Sequence, residues 1–322
     1  MSSQPSVGLL CQFKDPEPYF AAFHAHHERL VDRIIYIDHG SRLEFSSLEL
    51  AKTKFIACDI SNFVKDVTYS KIINQSGLLT DLDFLFILDV DEFLPMETQE
   101  ALHTFLQPYI NYGTGTLNWV NGYPDRLKSL QMSPSVWIQE TPSPTKKLFY
   151  NLKKLNSFLP KEGNHNADYP LLWQTFLQLR PRRNKTQAPL IHLPIISNDQ
   201  MSQKLNEFPR QDFGDKLQSL GESGSFPKLP KEVAGLVSDY RERSPRAHTF
   251  KEAHILKDLQ NRMTLLTKLM ATLPQKKVSF KSLSDHEVKL LRTKGPLRFK
   301  RLAEIIALRE VDGYIRMQCN EA

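Results

Sequence analysis

Four short apolar runs divide the first ninety residues of this 322-residue chain. They cover residues 7–13, 34–37, 54–60 and 84–88, each a suitable length for a buried strand and too short for a typical helix. Between the first two runs, aromatic and apolar side chains recur every three or four residues, which predicts a helix over 17–31. Strands that alternate with helices pair in parallel through crossover connections. The pattern therefore predicts an α/β fold.

Three histidines, His24, His26 and His27, lie within the first predicted helix. Only His24 and His27 share a helix face, and no cysteine is close enough in sequence to complete a zinc site. We therefore expect a cluster on the helix surface with one histidine packed inward.

Charge and composition divide the chain near residue 214. Residues 1–214 carry 21 Lys and Arg against 23 Asp and Glu, whereas residues 215–322 carry 21 against 13, a net charge of +8. A stretch rich in Gly, Ser and Pro lies at this change. We predict an α/β domain over 1–208, an exposed connection over 209–230 and a basic helical C-terminal region over 231–322.

Several classes of protein are disfavoured by the composition. The apolar runs are far shorter than the ~20 residues of a transmembrane helix, the first residues lack the pattern of a secretion signal, and three cysteines are too few for a disulfide scaffold. We expect a cytoplasmic protein that binds no nucleic acid, since no recognition motif accompanies its positive charge. The basic faces of the C-terminal helices fit either a solvated surface or peripheral contact with the inner face of an anionic membrane.

Acidic side chains follow three of the four predicted strands: Asp38, Asp59, and the group Asp89, Asp91 and Glu92. In open parallel sheets, ligands bind beyond the carboxyl ends of the strands. Carboxylates there can accept hydrogen bonds from a ribose or a base, or hold a divalent cation. Asp89 and Asp91 are close enough to repel each other unless a cation or a donor lies between them. A solvated acidic turn is the alternative.

Short motifs follow one another in a fixed order over residues 6–208. They are Lys14, Asp15 and Glu17; Tyr19 and His27 in the helix; Asp38 and Ser41 after the second strand; Leu88 to Phe93, which read Leu-Asp-x-Asp-Glu-Phe; Gly163, Asn164 and His165; and His192, Pro194, Ser197 and Lys204. In this order they resemble the glycosyltransferase family 2 superfamily, which has the A-type glycosyltransferase fold.

The resemblance implies a Rossmann-like domain with a mostly parallel sheet, and hexosyltransferase-like activity. A sugar would pass, with inversion, from a nucleotide-diphosphate sugar (a UDP-sugar is expected) to a glycan or a lipid-linked acceptor. Mn²⁺ or Mg²⁺ would neutralise the leaving diphosphate as a Lewis acid. By this resemblance Asp91 ligates the metal, Asp89 either contacts the ribose or shares the metal, and either His165 or His192 completes the metal shell.

The same resemblance assigns the remaining site residues. Those expected to hold the nucleotide sugar are Lys14, Glu17, Asp38, Asp59, Asp89 and Lys204. An inverting transfer also needs a general base within reach of the acceptor hydroxyl, and Asp168 and Asp125 are the candidates.

One departure from the family pattern leaves a second function open. Where the family has an acid two residues after the serine, this chain places Arg42 and Leu43 between Ser41 and the next acid, Glu44. The alternative is therefore a catalytically inactive, transferase-like module that binds a glycan or a protein.

Overall fold

The structure is a computed structural model that describes residues 4–58, 68–69, 72–73, 77–124, 135–139, 143–155, 158–160, 162–168, 189–193, 250–254, 259–278 and 315–317. Its strands are β1 (Val7–Phe13), β2 (Arg33–Asp38), β3 (Thr53–Cys58), β4 (Phe84–Ile87), β5 (Glu92–Phe93), β6 (Thr114–Pro124), β7 (Ser135–Gln139), β8 (Ser143–Asn151), β9 (Leu159–Pro160), β10 (Ala167–Asp168), β11 (Leu190–His192), β12 (Phe250–His254) and β13 (Ile315–Met317). Its α-helices are α1 (Glu17–His27), α2 (Gln99–Leu106) and α3 (Gln260–Ala271).

Within the described residues, eleven strands form one mixed sheet. Its main order is β12-β7-β6-β8-β4-β1-β2-β3-β13, and β11 pairs with both β6 and β5 beside this path. Strands β4, β1, β2 and β3 pair in parallel, which confirms the predicted α/β class and the predicted pairing of the first four strands. The remaining pairs are antiparallel, except that β11 runs parallel to β6.

The central strand β1 is buried along its whole length, because apolar side chains cover the sheet on both faces. Val7, Leu9 and Phe13 point to the face that α1 covers, whereas Leu10 packs with Ile35 on the other. This double burial explains why the strands read as continuous apolar runs rather than as alternating patterns. It leaves the polar residues that follow each strand at one edge of the sheet.

Helix α1 is buried on all sides, so the predicted surface cluster of histidines is wrong. His24 Nδ1 lies 3.1 Å from the Tyr36 hydroxyl, His26 Nε2 lies 2.8 Å from the Leu94 carbonyl oxygen, and His27 Nδ1 lies 2.9 Å from the Phe23 carbonyl oxygen. Burial lowers the pKa of His27 well below its usual value. The histidines are therefore packing groups whose ring nitrogens satisfy backbone and side-chain partners.

Helix α3 brings part of the C-terminal third against α1. Met263, Leu266 and Met270 are buried at the interface, as their spacing predicts. The Arg262 guanidinium binds both oxygens of the Glu28 carboxylate, at 2.7 and 3.0 Å. The described part of this region is not wholly helical, since residues 250–254 form β12 and residues 315–317 form β13 at the two ends of the sheet. The predicted connection over 209–230 lies outside the described residues, as do residues 279–314 of the predicted helical region.

The contact between α3 and α1 makes the free energy of unfolding depend on pH over a defined acidic range. Burial raises the pKa of Glu28, but hydrogen bonds and charge from His24 and Arg262 outweigh it and lower the pKa from 4.5 to about 2. A carboxyl group whose pKa falls on folding stabilises the fold above its unfolded pKa, and that contribution is lost as the pH falls towards the folded value.

We therefore expect Glu28→Gln to lower the thermal unfolding midpoint at pH 6 and to flatten its decline between pH 5 and pH 3. Thermal unfolding at closely spaced pH values measures both effects. Glu100→Gln, at an exposed position on α2, is the matched control and should follow the wild type. If Glu28→Gln lowers the midpoint by the same amount at every pH, the ion pair is not the source of the acid sensitivity.

Candidate functional site

The acidic turn after β4 places its carboxylates in two different environments. The Glu92 side chain is 1% exposed and points inward, where its Oε2 accepts a hydrogen bond from the Asp89 backbone N–H at 2.8 Å. The Glu92 backbone N–H in turn donates to the Asp89 carbonyl oxygen at 3.0 Å. These bonds close a tight turn. The side chains of Asp89 and Asp91 remain partly exposed at its rim, at 27% and 16%.

A buried lysine lies between two of these acids. The Lys147 side chain is 2% exposed, and its Nζ lies 2.9 Å from Asp89 Oδ2 and 2.9 Å from Glu92 Oε2. Strand β8 supplies it, because β8 runs antiparallel to β4 with Phe149 opposite Phe86. The sequence predicted that Asp89 and Asp91 need a cation or a hydrogen-bond donor between them. For Asp89, Lys147 of the protein itself is this donor. Sequence reasoning missed Lys147, and its signal was a lysine that directly precedes the apolar run 148–150.

Burial controls the protonation of Glu92. It raises the pKa of this carboxyl, Lys147 lowers it, and Asp89 and Asp91 raise it further, with a net pKa of about 8 against a usual 4.5. A carboxyl group whose pKa rises on folding lowers the stability of the fold as the pH increases from the pKa of the unfolded state to that of the folded state. One lysine thus compensates only part of the negative charge that Asp89, Asp91 and Glu92 bring to this turn.

Strand β11 brings His192 to Asp91. The Leu193 backbone N–H donates to the Asp91 carbonyl oxygen at 2.8 Å, and the Tyr19 hydroxyl donates to the Leu193 carbonyl oxygen at 2.7 Å. With the segment fixed at both points, His192 Nε2 lies 3.5 Å from Asp91 Oδ2. The structure thus brings together two of the four residues that were predicted to bind metal.

A second contact sets the orientation of the His192 ring. Its Nδ1 lies 3.0 Å from the Asn121 Oδ1, which is opposite His192 on β6. When Nδ1 donates to this amide oxygen, Nε2 is left to offer a lone pair on the side of Asp91. A nitrogen lone pair and a carboxylate oxygen that face each other 3.5 Å apart can share a proton or bind a cation together.

In the Gly-Asn-His motif, Gly163 and Asn164 have structural roles, whereas His165 lies near the candidate site. Gly163 and Asn164 both have positive φ, 71° and 54°, which turns the chain sharply beside β8. Within this turn, the Asn164 amide donates to the Ile87 carbonyl oxygen at 3.0 Å and to the Leu148 carbonyl oxygen at 2.8 Å. Asn164 therefore ties the end of β4 to Leu148 within β8, a role that the motif alone did not reveal.

His165 and His192 both lie beside the Trp119 ring, whose centroid is 6.0 Å from the His165 ring and 4.3 Å from the His192 ring. His165 is exposed, and its Nδ1 lies 2.7 Å from the Lys146 carbonyl oxygen. Of the two histidines proposed for the metal, His192 has its Nε2 3.5 Å from Asp91 Oδ2.

The turns after β1 and β2 are joined by side-chain hydrogen bonds. Asp38 Oδ1 accepts a hydrogen bond from the Ser41 backbone N–H at 2.8 Å, and the Ser41 hydroxyl oxygen accepts one from the Asp15 backbone N–H at 3.0 Å. Asp15 Oδ1 accepts a hydrogen bond from the Arg42 backbone N–H at 2.9 Å. These bonds explain the Asp-x-x-Ser spacing physically. Asp38 also forms an ion pair of 2.6 Å with Lys276, which sequence reasoning did not anticipate.

The other predicted site residues have varied outcomes. Lys14 is exposed, and Glu17 lies in the first turn of α1, where its Oε2 is buried without a hydrogen-bond partner and burial raises its pKa. Asp168 is in β10, opposite Leu159. Asp59, Asp125 and Lys204 lie outside the described residues, so their roles stay predictions.

The residues present fit a divalent cation only in combination with a substrate. Among the residues that the structure describes, no group of three or more His, Cys, Asp and Glu side chains is arranged to hold a metal ion. Mg²⁺, however, usually keeps several waters and is bound through one or two carboxylates together with substrate phosphates. Asp91 supplies such a carboxylate, and His192 places a ring nitrogen beside it.

Lys147 is expected to be essential for stability. Breaking a buried ion pair by removing one partner leaves an uncompensated charge and typically costs about 3–5 kcal/mol. We therefore expect Lys147→Met to lower the free energy of unfolding by about this amount in urea denaturation. Lys146→Met changes the adjacent, less buried side chain, and it should cost less than about 1 kcal/mol. Equal effects of the two substitutions would contradict the structural role of Lys147.

Comparisons with known proteins add little. No protein-family model and no curated protein matches the chain. A solved structure described as the crystal structure of a mycobacterial protein is similar at 14% identity and a TM-score of 0.32, over 59% of this chain. This chain spans 65% of the length of that structure, and a similarity at this level supports no statement about function. Within the described parts of the chain, none of the helices has the length and hydropathy required to cross a membrane.

Proposed function

We propose that this protein is a metal-dependent glycosyltransferase related to the glycosyltransferase family 2 superfamily. It would transfer a hexose from a nucleotide-diphosphate sugar, with a UDP-sugar as the first candidate, to a glycan or a lipid-linked acceptor. The observation that carries this proposal is the 3.5 Å pairing of Asp91 and His192 directly beyond a parallel strand. Ligands of open α/β sheets bind at such strand ends.

The acidic residues of the turn would have different roles, one in binding the cation and one in binding the ribose. Mn²⁺ or Mg²⁺ held by Asp91 and by His192 Nε2 would supply Lewis-acid stabilisation of the leaving diphosphate. Asp89 is held by Lys147 through one oxygen, so it is suited to accept a hydrogen bond from a ribose hydroxyl and less suited to share the cation. Glu92 remains buried, where it keeps the turn closed.

The nucleoside part of the donor would lie at the ends of β1 and β2. Asp38 is a described carboxylate at that edge, and Ser41 joins its turn to that of Asp15, beside which Lys14 and Glu17 lie in the sequence. Roles for Asp59 with the nucleoside, for Lys204 with the diphosphate, and for Asp168 or Asp125 as general base are retained as predictions. A base must come within hydrogen-bond reach of the acceptor hydroxyl, which only an acceptor complex tests directly.

The cellular setting remains part of the proposal. A cytoplasmic enzyme with a lipid-linked acceptor would benefit from peripheral contact with an anionic membrane. Helix α3 bears on this because it exposes Leu265 and Leu269 on either side of the basic Lys268. An apolar pair beside a lysine suits the boundary between lipid headgroups and acyl chains.

Ligand-induced stabilisation tests the proposed donor and metal together. Purified protein is heated with UDP-, GDP- and dTDP-sugars, each with and without Mn²⁺. A ligand at a hundred times its dissociation constant adds about 2.7 kcal/mol of apparent stability, so the midpoint should rise for one nucleotide and only when Mn²⁺ is present.

Variants locate the effect in the structure. We expect Asp91→Asn to lose the Mn²⁺-dependent part of the shift, because it removes a charged ligand while nearly preserving shape. Glu97→Gln, at an exposed position shortly after the turn, should keep the full shift. An equal shift in Asp91→Asn and wild type would refute the metal assignment. The absence of a shift with every donor would favour the inactive, transferase-like binding module.

A further inference from the structure

A short segment after α3 crosses the end of β2. It comprises residues 273–276, which we call the strap. The Glu44 backbone N–H donates to the Pro274 carbonyl oxygen at 3.0 Å, and the Lys276 backbone N–H donates to the Arg42 carbonyl oxygen at 2.9 Å. Leu43 and Gln275 form an antiparallel bridge between these two bonds. The strap is thus hydrogen-bonded like a strand to the chain that follows the Asp38 turn.

The strap ends at the carboxylate that the proposed function assigns to the nucleoside. Lys276 Nζ lies 2.6 Å from Asp38 Oδ2 and 3.8 Å from Glu44 Oε1. The other carboxylate oxygen, Asp38 Oδ1, accepts the Ser41 backbone N–H at 2.8 Å. Both oxygens of Asp38 are therefore engaged, and its side chain is only 4% exposed. A ligand has no open approach to this carboxylate while Lys276 is in place.

We infer that the strap covers the nucleoside subsite, and that Lys276 and a nucleotide compete for Asp38. The inference rests on the proposed function, which makes Asp38 a nucleoside-binding residue. Two states follow, one with the ion pair of Lys276 and Asp38 and one with a nucleotide hydrogen-bonded to Asp38. A ligand that binds only the second state shifts the population towards it, and its apparent affinity is reduced by the stability of the first.

Because α3 is anchored to α1, a nucleotide can replace Lys276 at Asp38 without moving the helix. Arg262 binds Glu28 on α1, and Met263, Leu266 and Met270 are buried in the core. The Leu273 backbone N–H donates to the Met270 carbonyl oxygen at 3.2 Å, so the start of the strap stays with the helix. These contacts do not involve Asp38, so the strap can leave Asp38 while the helix stays docked. The hydrogen bonds that open are the two backbone bonds to Glu44 and Arg42, together with the Lys276 ion pair.

Equilibrium titration with UDP and Mn²⁺ tests the competition in the full-length chain. We expect Lys276→Met to bind UDP roughly two- to fivefold more tightly than wild type, the range that a partly exposed ion pair contributes. Lys277→Met, the exposed neighbour, should leave the affinity unchanged. Lys276→Arg, which keeps the positive charge, should stay close to wild type.

Amide hydrogen exchange on the wild type provides a readout that depends on no variant. Saturation with UDP and Mn²⁺ should speed exchange at Glu44 and Lys276, because their amide hydrogen bonds join the strap to the protein. Slower exchange at these amides, or unchanged or weaker UDP affinity in Lys276→Met, would overturn the inference while the proposed function stands. If neither wild type nor Lys276→Met binds UDP, GDP or dTDP with Mn²⁺, both the inference and the proposed function fail.

Discussion

The buried ammonium of Lys147 allows three acidic side chains to cluster after β4. It contacts Asp89 and Glu92 at 2.9 Å each, so the turn can bury one carboxylate and fix a second. Charges of one sign are costly to bury unless they are paired and hydrogen-bonded, and Lys147 offsets part of that cost for Asp89 and Glu92. With those two acids held by Lys147, Asp91 is left to face His192. The chemistry that we propose depends on this division.

The site is assembled from distant parts of the chain around the end of β4. Strand β8 supplies Lys147, strand β11 supplies His192, and β6 supplies the Asn121 that orients the His192 ring. The parallel strands provide an edge where polar side chains gather, and the antiparallel strands close that edge on one side. The C-terminal third adds Lys276 on the other side, at Asp38. Backbone pairing between strands brings each of these residues into place, so the arrangement of the site depends on the pairing in the sheet.

Local patterns in the sequence predicted the parts of this arrangement that are encoded locally. Apolar runs identified the first four strands, and their ends identified the acids, because burial and strand length are short-range properties. Partners could not be predicted in the same way. Lys147 lies 58 residues from Asp89, and Lys276 lies 238 residues from Asp38, so no periodicity connects them. The histidines of α1 were misjudged for a related reason, since α3 and the Leu94 segment cover a face that α1 alone would leave exposed.

The central claim is that Asp91 and His192 hold a divalent cation together with the diphosphate of a nucleotide. Pulsed electron paramagnetic resonance of Mn²⁺ bound with UDP tests it directly, because couplings to ¹⁴N and ³¹P report the imidazole and the diphosphate separately. The account predicts both couplings in the wild type, and loss of the ¹⁴N coupling in His192→Gln. Coupling to ³¹P without ¹⁴N in the wild type, or ¹⁴N coupling that persists in His192→Gln, would contradict it.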